Sequence, residues 1–263
     1  MTQTVLVTGA STGIGRAIAT RLSSAGHRVI GTSRDPSRVD KTPYPLLQLD
    51  VRDDASVARC VAGVGPVDAL VNNAGYAFVG AVEETSIAEA KAQMETNCFG
   101  ALRMMHAVLP AMRSCGAGRI VVISSISGVV PPPFLGAYAA SKHAIEAFTE
   151  SLSHEVRDCG VRLTLVELDS MRTGITFTRP ERADQRHDVP RGRMLRRLEH
   201  GSAHGDDPAL VAEAVVEILA RESPPLRWLV GERTVQVVEA RRKLPEPAFA
   251  ELVRRQLGLW EEA

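Results

Sequence analysis

Only four lysines, three tyrosines and four cysteines occur in 263 residues, and each scarcity removes a class of protein. Cys60, Cys98, Cys115 and Cys159 stand far apart with no Cys-x-x-Cys pair. Neither a disulfide framework nor a zinc site is expected, so no residue is assigned to a metal. A reducing cytoplasm is the compartment that this usage implies. Excess charge of one sign is missing too: 31 Lys+Arg against 31 Asp+Glu leave no broad field of the kind that gathers nucleic acid or a membrane surface. Neither partner is expected, and a charged ligand must be recognised locally. No run approaches 18 apolar residues, and MTQTVLVTGA shows no basic segment ahead of an apolar block. The reading therefore includes neither a membrane span nor a leader peptide.

What the chain does contain is core material. It is 44% hydrophobic, and at this length a folded chain buries roughly three quarters of the surface that its unfolded form exposes. Short β-branched runs alternate with helix-length amphipathic segments, the pattern of βαβ units stacked on a parallel sheet. Seven strands are predicted, over residues 4–8, 28–32, 46–49, 69–71, 119–124, 162–167 and 227–230. The longest helices are predicted over 87–112 and 138–157, and Pro208 opens another over 209–220. The fold class expected is α/β, a doubly wound seven-stranded parallel sheet with helices on both faces, in one domain spanning 1–263. Residues 172–208 break the pattern with eight arginines and little apolar periodicity, so a mobile substrate loop, or a lid with a short helix of its own, is expected there. Its arginines admit two readings, an anion-binding segment or an ordinary solvated surface, of which the second is the commoner. A helical tail over about 232–263 follows.

The chemistry is concentrated in a few motifs. Thr8-Gly9-Ala10-Ser11-Thr12-Gly13-Ile14-Gly15 lies between the first strand and a helix, where glycines let backbone N–H groups approach a pyrophosphate and the helix N-terminus adds partial positive charge. Arg16-Ala17 follows, which excludes a nucleoside-triphosphate loop needing Lys and then Ser or Thr. The second strand ends Ser33-Arg34, where a carboxylate would accept from a ribose 2′-hydroxyl and an arginine would hold a 2′-phosphate. Tyr138 and Lys142 lie four apart on one helix face, a spacing that lets an ammonium lower a phenol pKa. Ser125 ends a buried strand thirteen residues earlier, Asn72-Asn73-Ala74-Gly75 ends another, and Asn97 sits in mid-helix against its propensity.

Taken in that order and at those spacings, TGxxxGIG at Thr8 to Gly15, NNAG at Asn72 to Gly75, Asn97, Ser125 and YxxxK at Tyr138 to Lys142 resemble the short-chain dehydrogenase/reductase family. The likeness covers residues 4–175 closely and the remainder in outline. It implies a Rossmann-type fold, an NAD(P) cofactor and hydride transfer between the nicotinamide and a carbonyl or carbinol carbon. It further implies Tyr138 as general acid/base, Ser125 as donor to the substrate oxygen, Lys142 on the nicotinamide ribose and Asn97 holding a water linked to Lys142. In the cofactor-binding set it places Gly9, Ser11, Thr12, Gly13, Ile14 and Gly15 at the phosphates, Asp50 with Val51 at the adenine, and Asn73, Ala74 and Gly75 along the dinucleotide. Tyr138 and Lys142 join that set at the ribose and Thr173 at the carboxamide. Arg34 implies NADP(H) rather than NAD(H). One departure stands out: Leu168-Asp169 occupies the place of the family's usual Pro-Gly and is expected either to disturb cofactor binding or to contact a polar or cationic substrate.

The expected partner is a small ketone or secondary alcohol, with a sugar or another specialised metabolite as the alternative substrate, and the family implies a homodimer or homotetramer. A reading from a different class is a non-catalytic NADP(H)-binding regulator, which the altered turn favours and the intact Asn97, Ser125, Tyr138 and Lys142 set disfavours.

Overall fold

A computed structural model describes residues 2–173, 175 and 177–260. Its elements run β1 (Thr4–Val7), α1 (Gly13–Ser24), β2 (Arg28–Ser33), β3 (Leu46–Gln48), α2 (Asp54–Val64), β4 (Ala69–Asn72), β5 (Ala77–Phe78), α3 (Ile87–Met94), α4 (Gly100–Cys115), β6 (Gly118–Ile123), α5 (Gly136–Glu155), β7 (Val161–Leu168), β8 (Phe177–Thr178), α6 (Asp188–His204), α7 (Pro208–Ala220), β9 (Arg227–Val230), α8 (Glu232–Lys243) and α9 (Glu246–Leu257). Seven strands form one parallel sheet in the order β3-β2-β1-β4-β6-β7-β9, while β5 and β8 pair separately. All seven expected strands are present, each end within one residue of its predicted place.

Alternation along each strand feeds two cores. Leu6, Leu70, Ile120 and Val122 pack on the side of α2, α4 and α5, whereas Val5, Val7, Val71, Val121 and Ile123 pack on the side of α1 and α7. Because both faces are covered, the central strands read as unbroken apolar runs. The order reverses between β1 and β4, which opens a crevice at the carboxyl ends of the strands, where sheets of this kind receive ligands.

Two expectations need correction. The single helix over 87–112 is α3 and α4 joined by a π-helical turn, Glu95–Phe99, entered through a capping box between Ser86 and Glu89. Residues 172–208 are not simply a loop: they hold β8 and the 17-residue α6. That helix escaped the periodicity reading because its buried positions are only Arg191, Met194 and Leu195. Arg191 ion-pairs with the buried Glu84 and with Asp188, which bolts α6 to the turn after β5. Among the described residues no helix is long and apolar enough to cross a membrane, and no group of His, Cys, Asp or Glu could hold a metal ion.

Candidate active site

Built from the backbone outward, the site begins where β1 turns into α1. Gly9 and Gly13 have φ of +66° and +55°, which glycine adopts without steric cost. A Cβ at Gly15 would stand 2.3 Å from the Gly9 carbonyl and 2.4 Å from Asn73 Nδ2, so only glycine fits. Asn73 holds the turn by donating to the carbonyls of Thr8 (2.9 Å) and Gly9 (3.1 Å), and Thr8 Oγ1 accepts from the amides of Asn73 (2.9 Å) and Ala74 (3.0 Å). Asn73 thus shapes the loop rather than facing a ligand. Thr12 makes no side-chain cap on α1, and the first turn carries no acid. Its amides and partial positive charge are left for an anion, which is what a dinucleotide pyrophosphate requires. Thr173 stands over Gly13, 3.3 Å from the position a Cβ would take, and its hydroxyl donates to the Met171 carbonyl at 3.3 Å.

At the end of β2 the acid nearest the ribose position is already engaged. Asp35 accepts from the Ser37 amide (3.1 Å) and pairs with Arg38 (2.9 Å), while Arg34 is exposed and has no ion-pair partner among the described residues. Asp50 accepts from Arg52 at 2.6 Å, and that bond holds its carboxyl down at about 2. Val51 is buried and fills the space over Gly100, where a Cβ would meet it at 2.6 Å. The residues present therefore fit a dinucleotide at both its phosphate and its adenosine ends.

The four polar residues expected to act together do converge beyond β4 and β6. Tyr138 and Lys142 share one face of α5, with Nζ 5.8 Å from the ring centroid. Lys142, 8% exposed, donates to the Ile123 carbonyl at 2.8 Å, and burial pulls its pKa down to about 8 against a small opposing pull from Glu146. The phenol differs from expectation: burial pushes the Tyr138 pKa up, and the neighbouring Ser125 hydroxyl opposes that shift. Ser125 Oγ also accepts from the Ser127 amide at 3.1 Å.

Asn97 explains the π turn. Its Oδ1 accepts from the Tyr76 amide (3.1 Å), and its Nδ2 donates to the Tyr76 carbonyl (3.0 Å) and to Ser141 Oγ (3.2 Å). Ser141 in turn donates to the Tyr138 carbonyl at 2.7 Å. The extra residue in the turn aims a side chain sideways to clamp the chain after NNAG, a common use of such bulges at working sites. Gly75 belongs to the same clamp, since a Cβ there would lie 3.0 Å from Asn97 Oδ1. Ser141 and Gln93, which accepts from the Phe78 amide at 2.9 Å and donates to the Tyr76 carbonyl at 3.0 Å, are contributors that the motif reading missed. Gln93 precedes Asn97 by four, a legible spacing.

The altered turn after β7 is accommodated within the fold. Leu168 ends the strand and joins the core, and Asp169 pairs with Arg233 of α8 at 2.7 Å. Several arginines of 172–208 are similarly occupied. Arg172 pairs with Asp207, Arg179 with Glu199 and Arg186 with Asp184, in keeping with the structural reading of that segment.

Comparison with known proteins agrees with this geometry. The family model described as short chain dehydrogenase matches residues 3–184. A 3-ketodihydrosphingosine reductase of Bacteroides thetaiotaomicron is 40% identical over 249 residues, covering 92% of each chain. The crystal structure of a short-chain dehydrogenase from Streptomyces avermitilis superposes with a TM-score of 0.85 at 34% identity over 100% of both chains. A metagenomic short-chain oxidoreductase in complex with NADP superposes with a TM-score of 0.69 at 28% identity, over 87% of this chain and 96% of its own. Sheet order, phosphate turn, clamp and matched segment lead to one assignment: this chain belongs to the short-chain dehydrogenase family of oxidoreductases.

Proposed function

We propose that the protein is an NADP(H)-dependent oxidoreductase, one domain throughout, that interconverts a ketone and its secondary alcohol. The observation that carries this reading is the Tyr138 phenol, near Ser125, beside a buried lysine whose Nζ lies 5.8 Å from its ring and packed against apolar side chains. A bound nicotinamide dinucleotide supplies the two-electron hydride chemistry. Tyr138 gives a proton to the substrate oxygen in reduction and takes it back in oxidation. Ser125 donates a hydrogen bond to that oxygen as charge gathers on it. Lys142, with its pKa drawn down to about 8, is mostly protonated at neutral pH and holds the ribose end. Asn97 keeps Tyr76 and Ser141 in register with Tyr138.

Arg34, exposed and unpaired, supports NADP(H), as does the NADP complex of a related structure. The name of the Bacteroides relative supports a ketone substrate. A purely regulatory role drew on the altered turn, and that turn is satisfied by Arg233. Exposed Phe99 in the π turn and Phe148 on α5 support self-association into a homo-oligomer.

The test is calorimetric titration with NADPH and NADH, followed by ketone-dependent NADPH oxidation by the wild type and Tyr138→Phe. Preferred NADPH binding and a loss of turnover of roughly 10²–10⁴-fold in the variant, with cofactor binding retained, are expected. Turnover within tenfold of wild type in Tyr138→Phe would refute the general-acid role.

A further inference from the structure

Helix α3 inverts the usual division of side chains. Its first residue, Ile87, is 72% exposed, whereas the one residue that it buries fully is Gln93. Glutamine is mostly a surface residue, and an amide taken out of water costs free energy unless its polar atoms are bonded. Leucine or methionine would fill such a place with no desolvation cost and at equal helix propensity. A glutamine there is explained by its bonds, and both ends have one. Oε1 accepts from the Phe78 amide at 2.9 Å, and Nε2 donates to the Tyr76 carbonyl at 3.0 Å. Exchanging the oxygen and nitrogen would set donor against donor and acceptor against acceptor, so the backbone partners decide which way the amide points.

The backbone that it holds is bonded on two sides. Ala77 and Phe78 pair with Phe177 and Thr178, and Val79 directs its amide to Thr178 of β8 at 2.9 Å. The alternate residues, Tyr76 and Phe78, bond side chains instead: Asn97 takes the Tyr76 amide and shares the Tyr76 carbonyl with Gln93, which takes the Phe78 amide. Two side-chain amides thus stand in for a neighbouring strand. The segment held in this way joins the two halves of the site. Upstream of it, Asn73 and Ala74 bond the phosphate turn. Across from it, Asn97 reaches Ser141 of α5, the residue before Lys142. Gln93 is the outer pin, beyond the last backbone group that Asn97 holds.

We infer that Gln93 is a positioning residue for the reaction: as donor and acceptor together it pins the backbone of Tyr76 and Phe78, and so sets the segment beside the phosphate turn against the helix that carries Tyr138 and Lys142. That those two residues react rests on the oxidoreductase reading above; the clamp rests on the bonds themselves. A misplacement of about 1 Å between hydride donor and proton donor costs on the order of 10²-fold in rate, so the effect of losing the pin falls on kcat more than on KM.

The experiment compares the full-length wild type with Gln93→Met and Gln93→Glu, using NADPH and 2-decanone as the probe ketone. Gln93→Met keeps the bulk and removes both bonds. Its kcat is expected to fall roughly 10–100-fold, with the KM for the ketone and the Kd for NADPH changed by less than about threefold. Gln93→Glu separates bonding from packing. An ionised carboxylate sets oxygen against the Tyr76 carbonyl, whereas the protonated acid has the one donor and the acceptor that the backbone requires. Burial raises a carboxyl pKa, so the ratio of the Gln93→Glu kcat to the wild-type kcat is expected to climb as pH falls from about 9 to about 5.5. The ratio for Gln93→Met stays flat. A wild-type kcat in Gln93→Met, or a flat ratio for Gln93→Glu, overturns the inference. Amide hydrogen exchange over Tyr76–Phe78 and over Val211–Leu219 of α7 requires no turnover. Faster exchange in Gln93→Met confined to the first fragment, in a protein that reduces no ketone, supports the clamp and moves the failure to the reductase reading. Unchanged exchange at Tyr76–Phe78 overturns the clamp, and so does an equal acceleration in both fragments.

Discussion

One helical turn separates two buried charges on α5 that are treated in opposite ways. Lys142 has a neutral carbonyl as its partner, and burial drags its pKa to about 8. Four residues on, Glu146 belongs to a saturated cluster. Arg227 bonds Glu146 at 2.5 Å, Glu150 at 2.8 Å and the fully buried Glu167 at 2.9 Å, and Ser124 donates to Glu146 at 2.6 Å. Those carboxylates raise the pKa of Arg227 against its burial. The difference teaches how a buried charge is kept available: structural charge is surrounded by counter-charge, whereas the lysine beside Tyr138 is left short of it. Glu167 shows the cost even inside the cluster, for burial and the neighbouring Glu146 push its pKa up.

The sharpest way to break this contrast is Arg227→Met, which strands two buried carboxylates. A loss of about 3–5 kcal/mol of stability is expected, read by urea unfolding; a loss below about 1 kcal/mol would mean the cluster is not structural. Next comes Lys142→Met. Between pH 8 and 10.5 the unfolded lysine is protonated and the folded one is not, so wild-type stability rises with pH through that window, by about 3 kcal/mol for a shift of this size. The variant removes that rise. It is expected to be at least as stable as wild type at pH 7 yet inactive, and a wild-type pH slope that survives in the variant would assign it to other groups. The smallest effect is that of Glu146→Gln, which keeps the bonds to Ser124 and Arg227 but removes the charge. Stability should fall by about 1–2 kcal/mol. The alkaline limb of kcat/KM should move to lower pH, because the Glu146 charge raises the Lys142 pKa; an unmoved limb would show that the two residues are not coupled.

Most of the sheet and the phosphate turn were legible because they depend on local signals: apolar runs such as Val121-Val122-Ile123, and glycines where the backbone must approach another backbone. Asn97 was legible as an anomaly in a helix, but its π turn was not. That geometry is settled by the Tyr76 backbone, 21 residues away in sequence. Helix α6 was hidden for a similar reason, since its anchor is an arginine whose carboxylate, Glu84, is 107 positions distant. Asp169 looked like a residue facing a ligand because nothing local revealed Arg233. The Tyr138–Lys142 spacing gave the right face, yet the direction of the phenol pKa follows burial, which spacing does not encode.

The two-residue ribbon between β5 and β8 has its own consequence. Ala77 and Phe78 pair with Phe177 and Thr178, and the Val79 amide donates to the Thr178 carbonyl at 2.9 Å. Ala77 and Phe78 lie on the same segment that Gln93 and Asn97 clamp. Separating the segment that leads into α6 from the body of the protein therefore exposes the backbone groups of both partners at once. Opening of the segment that leads into α6 and loosening of the clamped segment after β4 become a single cooperative unit of local unfolding, with a shared free energy rather than two independent ones.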